Sequence, residues 1–242
     1  MERKRNYIYP DKESLMAVFA CEFTRYLKEY SGTEKKLHIA LSGGSTVPLM
    51  FGQLVMGTTR YDWSDVHLYW VDERCVPPGD PESNYGNAWK ALLDPLALNK
   101  EQIHRIRGEE DPPSEARRYG DLLLRQLPLE NGVPVFDWIL LGVGPDGHTA
   151  SIFPRQIDSF STGSPCITSS HPVTGQRRIS LSGGVINMAR RVTFLASGKE
   201  KAEVIREIFF KEGRYKEYPA SYVNPFSGNL EWYLDQDASK LL

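Results

Sequence analysis

Short apolar runs alternate with helical patterns along this chain of 242 residues. The strand-like runs are Leu37–Leu41, Val66–Val71, the run from Phe136 to Val143, Arg178–Leu181 and Val192–Ala196. Helical patterns lie between them, to about Met56, from Ser83 as N-cap to about Leu93, over Ser114–Leu127, and over Glu200–Lys211 with Gly213 just past its end. Such alternation is typical of βαβ units. We therefore predict an α/β, Rossmann-like fold with a mostly parallel central sheet flanked by helices and a small additional subregion, forming a single domain over residues 1–242.

Composition excludes several classes of protein. Hydrophobic residues make up 40% of the chain and charged residues 25%, which is ordinary for a globular protein. The net charge of −2 gives no electrostatic reason to expect nucleic-acid or membrane binding, and no apolar run is long enough to span a bilayer. Three widely spaced cysteines form neither a disulfide framework nor a metal motif, and the polar start lacks a signal-peptide core. We expect a cytoplasmic protein, and a monomer because no strip of exposed apolar residues is evident.

The glycine-rich turn after the third strong run is the most informative motif. Asp146 and His148 lie in this turn, among Gly142, Gly144 and Gly147. Ligands of open α/β sheets bind outside the carboxyl ends of the strands, and histidine transfers protons near neutral pH. Asp146 and His148 are therefore candidate catalytic residues, with a structural histidine as the alternative. The other histidines lie in strand-like runs or polar loops and are interpreted as structural. No histidine or cysteine pattern indicates zinc, and no metal site is predicted.

A second glycine-rich turn follows the run that ends at Leu41. It comprises Gly43, Gly44, Ser45 and Thr46, which precede a helical pattern. Glycines admit an anion close to backbone N–H groups, and hydroxyl groups add donors, so the turn is a candidate phosphate cradle. It matches neither the P-loop pattern nor GxGxxG, so a dinucleotide is not expected. A plain tight turn is the alternative.

Charged residues supply the other candidates. Asp72-Glu73-Arg74 closes a strand, where charges are costly to bury unless they are paired or used. Asn84, in the loop that enters the next helix, faces the same predicted pocket. Arg178, with Arg177 as its neighbour, and Lys201, in the first turn of a helix, are candidate anion ligands. The alternatives are a surface salt-bridge cluster and solvated surface charges.

Taken together, these motifs resemble the 6-phosphogluconolactonases, within the wider superfamily of sugar-phosphate isomerases and deaminases. The resemblance covers nearly the whole chain. Its most specific motifs are DERCVPP from Asp72, ESNYG from Glu82 and GVGPDGHTASIFP from Gly142, whereas SGGST from Ser42 and GKEKA from Gly198 are shared with the deaminase branch. Two positions depart from the family pattern. Val47 separates SGGST from Pro48, which predicts a helix start shifted by one residue, and Gly183-Gly184 replaces Leu-Pro, which predicts a looser turn.

The resemblance implies hydrolysis of 6-phospho-D-glucono-1,5-lactone to 6-phosphogluconate, in the oxidative pentose phosphate pathway, with no metal or organic cofactor. His148 is assigned as the general base that activates water, and Asp146 as the residue that orients or polarises the imidazole. Arg74 is the candidate for stabilising developing negative charge or holding the substrate. Asp72 is expected to orient Arg74 or the sugar hydroxyls.

The same assignment places the phosphate on the glycine-rich cradle. Its ligands are taken to be Gly43, Gly44, Ser45 and Thr46, with charge supplied by Arg178 and Lys201. Which of Arg74, Arg177 and Arg178 touches the phosphate is left open by the sequence.

Two rival functions are distinguished by sequence. An amino-sugar-phosphate deaminase typically continues its histidine motif as GHIAFNEP, where a glutamate joins the histidine, whereas this chain reads GHTASIFP. A non-catalytic sugar-phosphate sensor usually carries a DNA-binding module, and the stretch before Leu37 is interpreted as too short for one. Both comparisons favour the lactonase.

Overall fold

The computed structural model describes residues 5–30, 33, 35–44, 47–58 and 61–242, together forming strands and helices in alternation. The first half comprises β1 (Arg5–Tyr9), α1 (Lys12–Tyr30), β2 (Leu37–Leu41), α2 (Val47–Thr58), β3 (Val66–Trp70), β4 (Asp72–Arg74), α3 (Asn84–Ala88), which runs into a π-helical turn (Trp89–Leu93), β5 (Ile103–His104) and α4 (Pro112–Gln126). The second half comprises β6 (Leu129–Glu130), β7 (Val133–Pro134), β8 (Trp138–Leu141), β9 (Cys166–Ser170), β10 (Arg177–Leu181), α5 (Gly183–Met188), β11 (Val192–Ala196), α6 (Ala202–Phe210), β12 (Leu230–Asp235) and α7 (Gln236–Ser239).

A parallel sheet forms the centre of the molecule. In the described part of the chain, seven strands pair in the order β1-β12-β11-β8-β2-β3-β5, and each pairing is parallel. Every residue of β2, β3, β8, β11 and β12 is buried, as expected for a sheet covered on both faces. The predicted Rossmann-like fold is confirmed.

The connections reverse direction between β2 and β8. From β2 the chain continues to β3 on one side, whereas the later strands β8, β11 and β12 lie on the other side. Ligand sites of such sheets lie where the connections diverge at the carboxyl ends of the strands. The turns after β2 and β8 are the two glycine-rich motifs of the sequence, so both of these motifs belong to that edge.

The predicted small subregion is an antiparallel sheet beside the main one. β10 pairs with β4 and β9, and its register places Arg178 opposite Arg74 and Ser180 opposite Asp72. This pairing joins segments about a hundred residues apart and brings two predicted site arginines together. A short hairpin pairs β6 with β7.

The elements at the two chain ends were missed by the sequence prediction, which took Leu37 as the start of the first strand. β1 and β12 instead pair at one edge of the sheet, and α1 precedes β2. Phe19 and Phe23 of α1 pack on Trp138 of β8, with ring centroids 5.7 and 5.2 Å from the indole. α1 is therefore part of the core.

The helix boundaries follow their capping residues. Ser83 caps α3 by accepting from Gly86 N, and Asp111 caps α4, so α4 begins two residues before the predicted Ser114. The last predicted helix begins as a tight turn at Lys199–Lys201 and continues as α6 to Phe210. It ends at Lys211, which adopts a left-handed conformation, two residues before the predicted end signal at Gly213.

The two departures from the family pattern both lie at helix starts. α2 is described from Val47, and the residues just before it lie outside the described part of the chain, so the shifted helix start stays a prediction. At the second departure, α5 begins at Gly183 with Ser182 as its N-cap, so a capped helix stands where a looser turn was predicted. None of the described helices is both long and apolar enough to cross a membrane.

Candidate active site

A cleft of about 230 Å³ opens at the carboxyl edge of the sheet. This volume is below the ~300–1,000 Å³ of pockets for drug-sized ligands, so it suits a small metabolite. Its predicted members are Gly43, Gly44, Asp72, Arg74, Asn84, His148, Arg178 and Lys201. Ser45 and Thr46, also predicted, lie outside the described residues. The remaining lining is mostly apolar and includes Met50, Leu140, Val143 and Leu195.

His148 lies in the turn after β8, paired with Asp146. Its Nδ1 is 2.5 Å from Asp146 Oδ1, and its backbone N–H donates to the same oxygen at 3.2 Å. Gly144 N donates to the carbonyl of His148 at 2.9 Å and closes the turn. A Cβ at Gly144 would lie 2.2 Å from the imidazole, so only glycine leaves room for the ring. The turn therefore presents an imidazole whose Nδ1 is engaged and whose Nε2 is available to a ligand.

The Asp146 carboxylate is kept in its charged form. Burial acts to raise the pKa of Asp146, but hydrogen bonds and charge from His148 outweigh it and hold the pKa below its ordinary value. A charged carboxylate bonded to Nδ1 fixes the tautomer of the ring and stabilises its protonated form. The pair is therefore arranged to accept a proton at Nε2 and release it later.

Asp72 is buried and tied to two other segments. Its Oδ2 accepts from Ser151 Oγ at 2.6 Å, and its backbone carbonyl accepts from Asn84 Nδ2 at 2.9 Å. Asp72 was predicted to orient Arg74, but the described residues show no hydrogen bond between the two side chains. Arg74 Nη1 instead donates to the carbonyl of Glu82 at 2.5 Å. Ser151 follows His148 by three residues, so Asp72 instead links β4 to the histidine turn.

Two arginines lie together on one side of the cleft. The β4–β10 register sets Arg74 opposite Arg178, and both side chains line the cleft with Nε buried and without a partner in the described structure. Burial, and then the charge of Arg74, lower the pKa of Arg178. Arg177 is exposed and does not line the cleft, because successive side chains of a strand point to opposite faces. Of the three arginines, Arg74 and Arg178 therefore line the cleft.

Lys201 enters the cleft from the start of α6. Burial lowers its pKa, although the charges of Glu200 and Asp235 act in the opposite direction. A desolvated ammonium favours an anionic partner. Lys201 and the arginine pair thus give the cleft positive charge from two different elements.

Known proteins match this chain over nearly its whole length. The family model described as glucosamine-6-phosphate isomerases/6-phosphogluconolactonase matches residues 10–232. The chain belongs to this family. The 6-phosphogluconolactonase of Haemophilus influenzae is 42% identical over 240 residues, which cover 98% of this chain and all of that protein.

Solved structures share the fold of this family member. The 6-phosphogluconolactonase of Trypanosoma brucei matches with a TM-score of 0.91 at 26% identity, over 100% of both chains. A monomeric glucosamine-6-phosphate deaminase matches with a TM-score of 0.82 at 20% identity, over 98% of this chain and 100% of that one. The second likeness is one of fold alone. Residues rather than fold must therefore separate the two branches of the family.

Phe153 occupies the position at which this chain differs from the deaminase pattern given above. It stands five residues after His148, where the deaminase pattern GHIAFNEP has its glutamate. Its buried ring lies 5.1 Å from the ring of His148, centroid to centroid. The imidazole therefore meets an apolar ring on this side, and Asp146 is the carboxylate to which it is bonded.

Several residues near the cleft were not singled out by sequence reasoning. Ser151 holds Asp72, and Phe153 packs on His148. Tyr218 donates to Glu207 at 2.7 Å, and Ala220 N near it donates to the carbonyl of Gly147 in the histidine turn at 3.0 Å. The available signal for Ser151 was its place between Ala150 and Ile152, three residues after His148. Among the residues that the structure describes, no group of three or more metal-ligating side chains is placed to hold a metal.

Proposed function

We propose that the protein hydrolyses 6-phospho-D-glucono-1,5-lactone to 6-phospho-D-gluconate, the second step of the oxidative pentose phosphate pathway. The observation that carries the proposal is the Asp146–His148 pair, which opens into a small, positively charged cleft. A lactone is an activated ester, so water and a positioned base suffice to open it. The likeness to named 6-phosphogluconolactonases supports the same reaction.

In the proposed mechanism, His148 Nε2 takes a proton from water as the oxygen of that water attacks the lactone carbonyl. Asp146 stabilises the imidazolium that forms, and Arg74 stabilises the negative charge on the carbonyl oxygen. When the tetrahedral intermediate collapses, the bond to the ring oxygen breaks and that oxygen takes the proton from His148. A general base of this kind contributes roughly 10²–10⁴-fold in rate.

We propose that the phosphate lies between the turn after β2 and the half-buried cations. Arg178 and Lys201 line the cleft, and burial lowers the pKa of both. A cation that has lost hydration is stabilised again by a bound dianion, whereas a neutral sugar would not offset the free energy of that lost hydration. The backbone of Gly43 and Gly44 approaches the same space. This arrangement favours the phosphorylated lactone over an unphosphorylated one.

The most direct test of substrate and reaction is a coupled assay. Glucose 6-phosphate dehydrogenase generates the lactone, and 6-phosphogluconate dehydrogenase reports its hydrolysis as NADPH. We expect the second phase of NADPH formation to accelerate in proportion to added protein, after the spontaneous hydrolysis of the lactone is subtracted. Ammonia release from glucosamine 6-phosphate at a comparable rate would refute the assignment in favour of a deaminase, and binding without turnover would favour a sensor.

Three properties remain proposals from sequence. We expect activity without an added metal or organic cofactor, a monomer, and a cytoplasmic location. Activity after treatment with a chelator, and the mass of the native protein by light scattering, test the first two.

A further inference from the structure

Glu73 is a buried carboxylate at the edge of the cleft that the mechanism above does not use. It is 1% exposed. Its Oε1 accepts from Arg74 N at 2.8 Å and from Asn84 N at 2.7 Å, and its Oε2 accepts from Tyr85 N at 2.8 Å and from Ser83 Oγ at 3.1 Å. All of these donors are uncharged N–H or O–H groups. Burial raises the pKa of Glu73, although the backbone donors oppose the shift.

These bonds join two segments that each supply a cleft residue. Arg74 follows Glu73 in β4, and Asn84 is the first residue of α3. Asn84 also donates to the carbonyl of Asp72, and its Oδ1 lies only 1.8 Å from where a Cβ on Gly43 would stand. The side chain of Asn84 is thus wedged between β4 and the turn after β2. Its position depends on how firmly the start of α3 is held.

Ser83 and Glu73 share the capping of α3. Ser83 Oγ accepts from Gly86 N at 2.9 Å, whereas Glu73 accepts from Asn84 N and Tyr85 N in the first turn. Burying a carboxylate without a cationic partner is costly, and a neutral side chain of similar size would avoid that cost. What the carboxylate adds is a fixed connection between Arg74 and Asn84, because each of its oxygens accepts two hydrogen bonds.

We propose that Glu73 is a positioning residue for the reaction, which holds Arg74 and Asn84 at the cleft. The inference rests on the proposed lactonase function. It assigns to the middle residue of the Asp72-Glu73-Arg74 motif a task distinct from those of its neighbours. Glu73 itself does not touch the substrate; it acts through the two residues that do.

Glu73→Gln tests this assignment with little change in volume. A glutamine has one acceptor oxygen, and its amide would point donors at two of the four existing donors. Glu115 offers a matched control. It is 2% exposed, accepts from Arg107 N at 2.7 Å and from Arg118 Nε and Nη2 at 2.6 Å, and does not line the cleft. Glu115→Gln therefore reports how the loss of a buried carboxylate away from the cleft, here one paired with Arg118, affects stability and kinetics.

The expected results separate positioning from folding. Both variants should lose thermal stability, but only Glu73→Gln should raise KM or lower kcat/KM, by at least about tenfold. In the double variant of Glu73→Gln and Asn84→Ala, kcat/KM should fall by less than the product of the two single effects, because both changes disturb the same contact. Glu73→Asp, which keeps both oxygens on a shorter stem, should recover part of the activity and serves if Glu73→Gln does not fold.

Two outcomes would overturn the inference alone. If the wild-type protein is an active lactonase and Glu73→Gln and Glu115→Gln lose activity equally, Glu73 matters only for stability. Multiplicative effects of Glu73→Gln and Asn84→Ala would show that it does not act through Asn84. A well-folded wild-type protein without lactonase activity would instead refute the proposed function, and this inference with it.

Discussion

At the scale of single residues, the cleft combines the bonded pair Asp146 and His148 with cations held by other elements. The register of β10 decides which arginine lines the cleft, because Arg178 faces Arg74 whereas Arg177 is exposed. The sequence could name all three arginines, but it could not choose among them. The choice depends on an antiparallel pairing between distant segments, which no local pattern reports.

Substitution of the two half-buried cations tests the phosphate site. We expect Arg178→Ala and Lys201→Ala to raise KM for the phosphorylated lactone by roughly tenfold to a hundredfold, the usual value of a hydrogen bond to a charged group. Their kcat should change much less. Arg177→Ala is the matched control, and steady-state kinetics of the three variants provide the measurement. A KM increase as large in Arg177→Ala would contradict the assignment.

At the scale of elements, the glycine-rich turns and the strands before them were predictable. Their apolar runs are fully buried and are followed within two residues by glycine, so the apolar pattern and the glycines both mark the ends of these strands. β1 and β12 were missed because their sequences, RNYIY and LEWYLD, mix charged and apolar residues. Asp72 and Ser151 were not connected in advance, since their bond spans 79 residues of chain.

The turn that holds His148 should not tolerate a larger residue at Gly144. A Cβ there would lie 2.2 Å from the imidazole and 2.7 Å from Asp146 Oδ1, so Gly144→Ala must displace the pair. We expect kcat/KM to fall by about 10²-fold, with the far-UV circular dichroism spectrum unchanged. Gly163→Ala, where a Cβ would meet nothing within 4 Å, is the control. Full activity in Gly144→Ala would mean that the turn does not constrain the histidine.

At the scale of the whole molecule, the sheet separates two kinds of histidine. His148 lies at the cleft, whereas His38, His67 and His104 form a ladder across β2, β3 and β5. In this ladder, His67 Nδ1 lies 2.9 Å from His104 Nε2, and His38 Nδ1 lies 3.0 Å from Tyr69 Oη. The ladder belongs to the packing of the sheet, and it lies outside the lining of the cleft.

The ladder should make the fold sensitive to acid. Burial lowers the pKa of His38 and His104 to about 4, from 6.5, and also lowers that of His67. The unfolded chain therefore takes up protons first as the pH falls. The stabilisation from neutral imidazoles is present above pH ~6.5 and is lost as the pH falls toward ~4, by on the order of 3 kcal/mol for His38.

Urea unfolding between pH 7.5 and 4.5 measures this loss. His38→Gln should flatten the dependence of the free energy of unfolding on pH, and His171→Gln, outside the ladder, should not. Parallel curves for His38→Gln and the wild-type protein would contradict the role of the ladder. The single-domain organisation stays a prediction, and one cooperative transition in the same experiment would support it.

His148 is the residue that we propose activates water against a phosphorylated lactone. The most direct test follows the lactone itself by NMR, with wild-type protein and with His148→Ala, against the spontaneous rate. We predict rapid consumption by the wild-type protein, and a kcat at least about 10²-fold lower in His148→Ala, with binding of 6-phosphogluconate retained. Consumption by His148→Ala at a rate near that of the wild-type protein would show that His148 is not the general base.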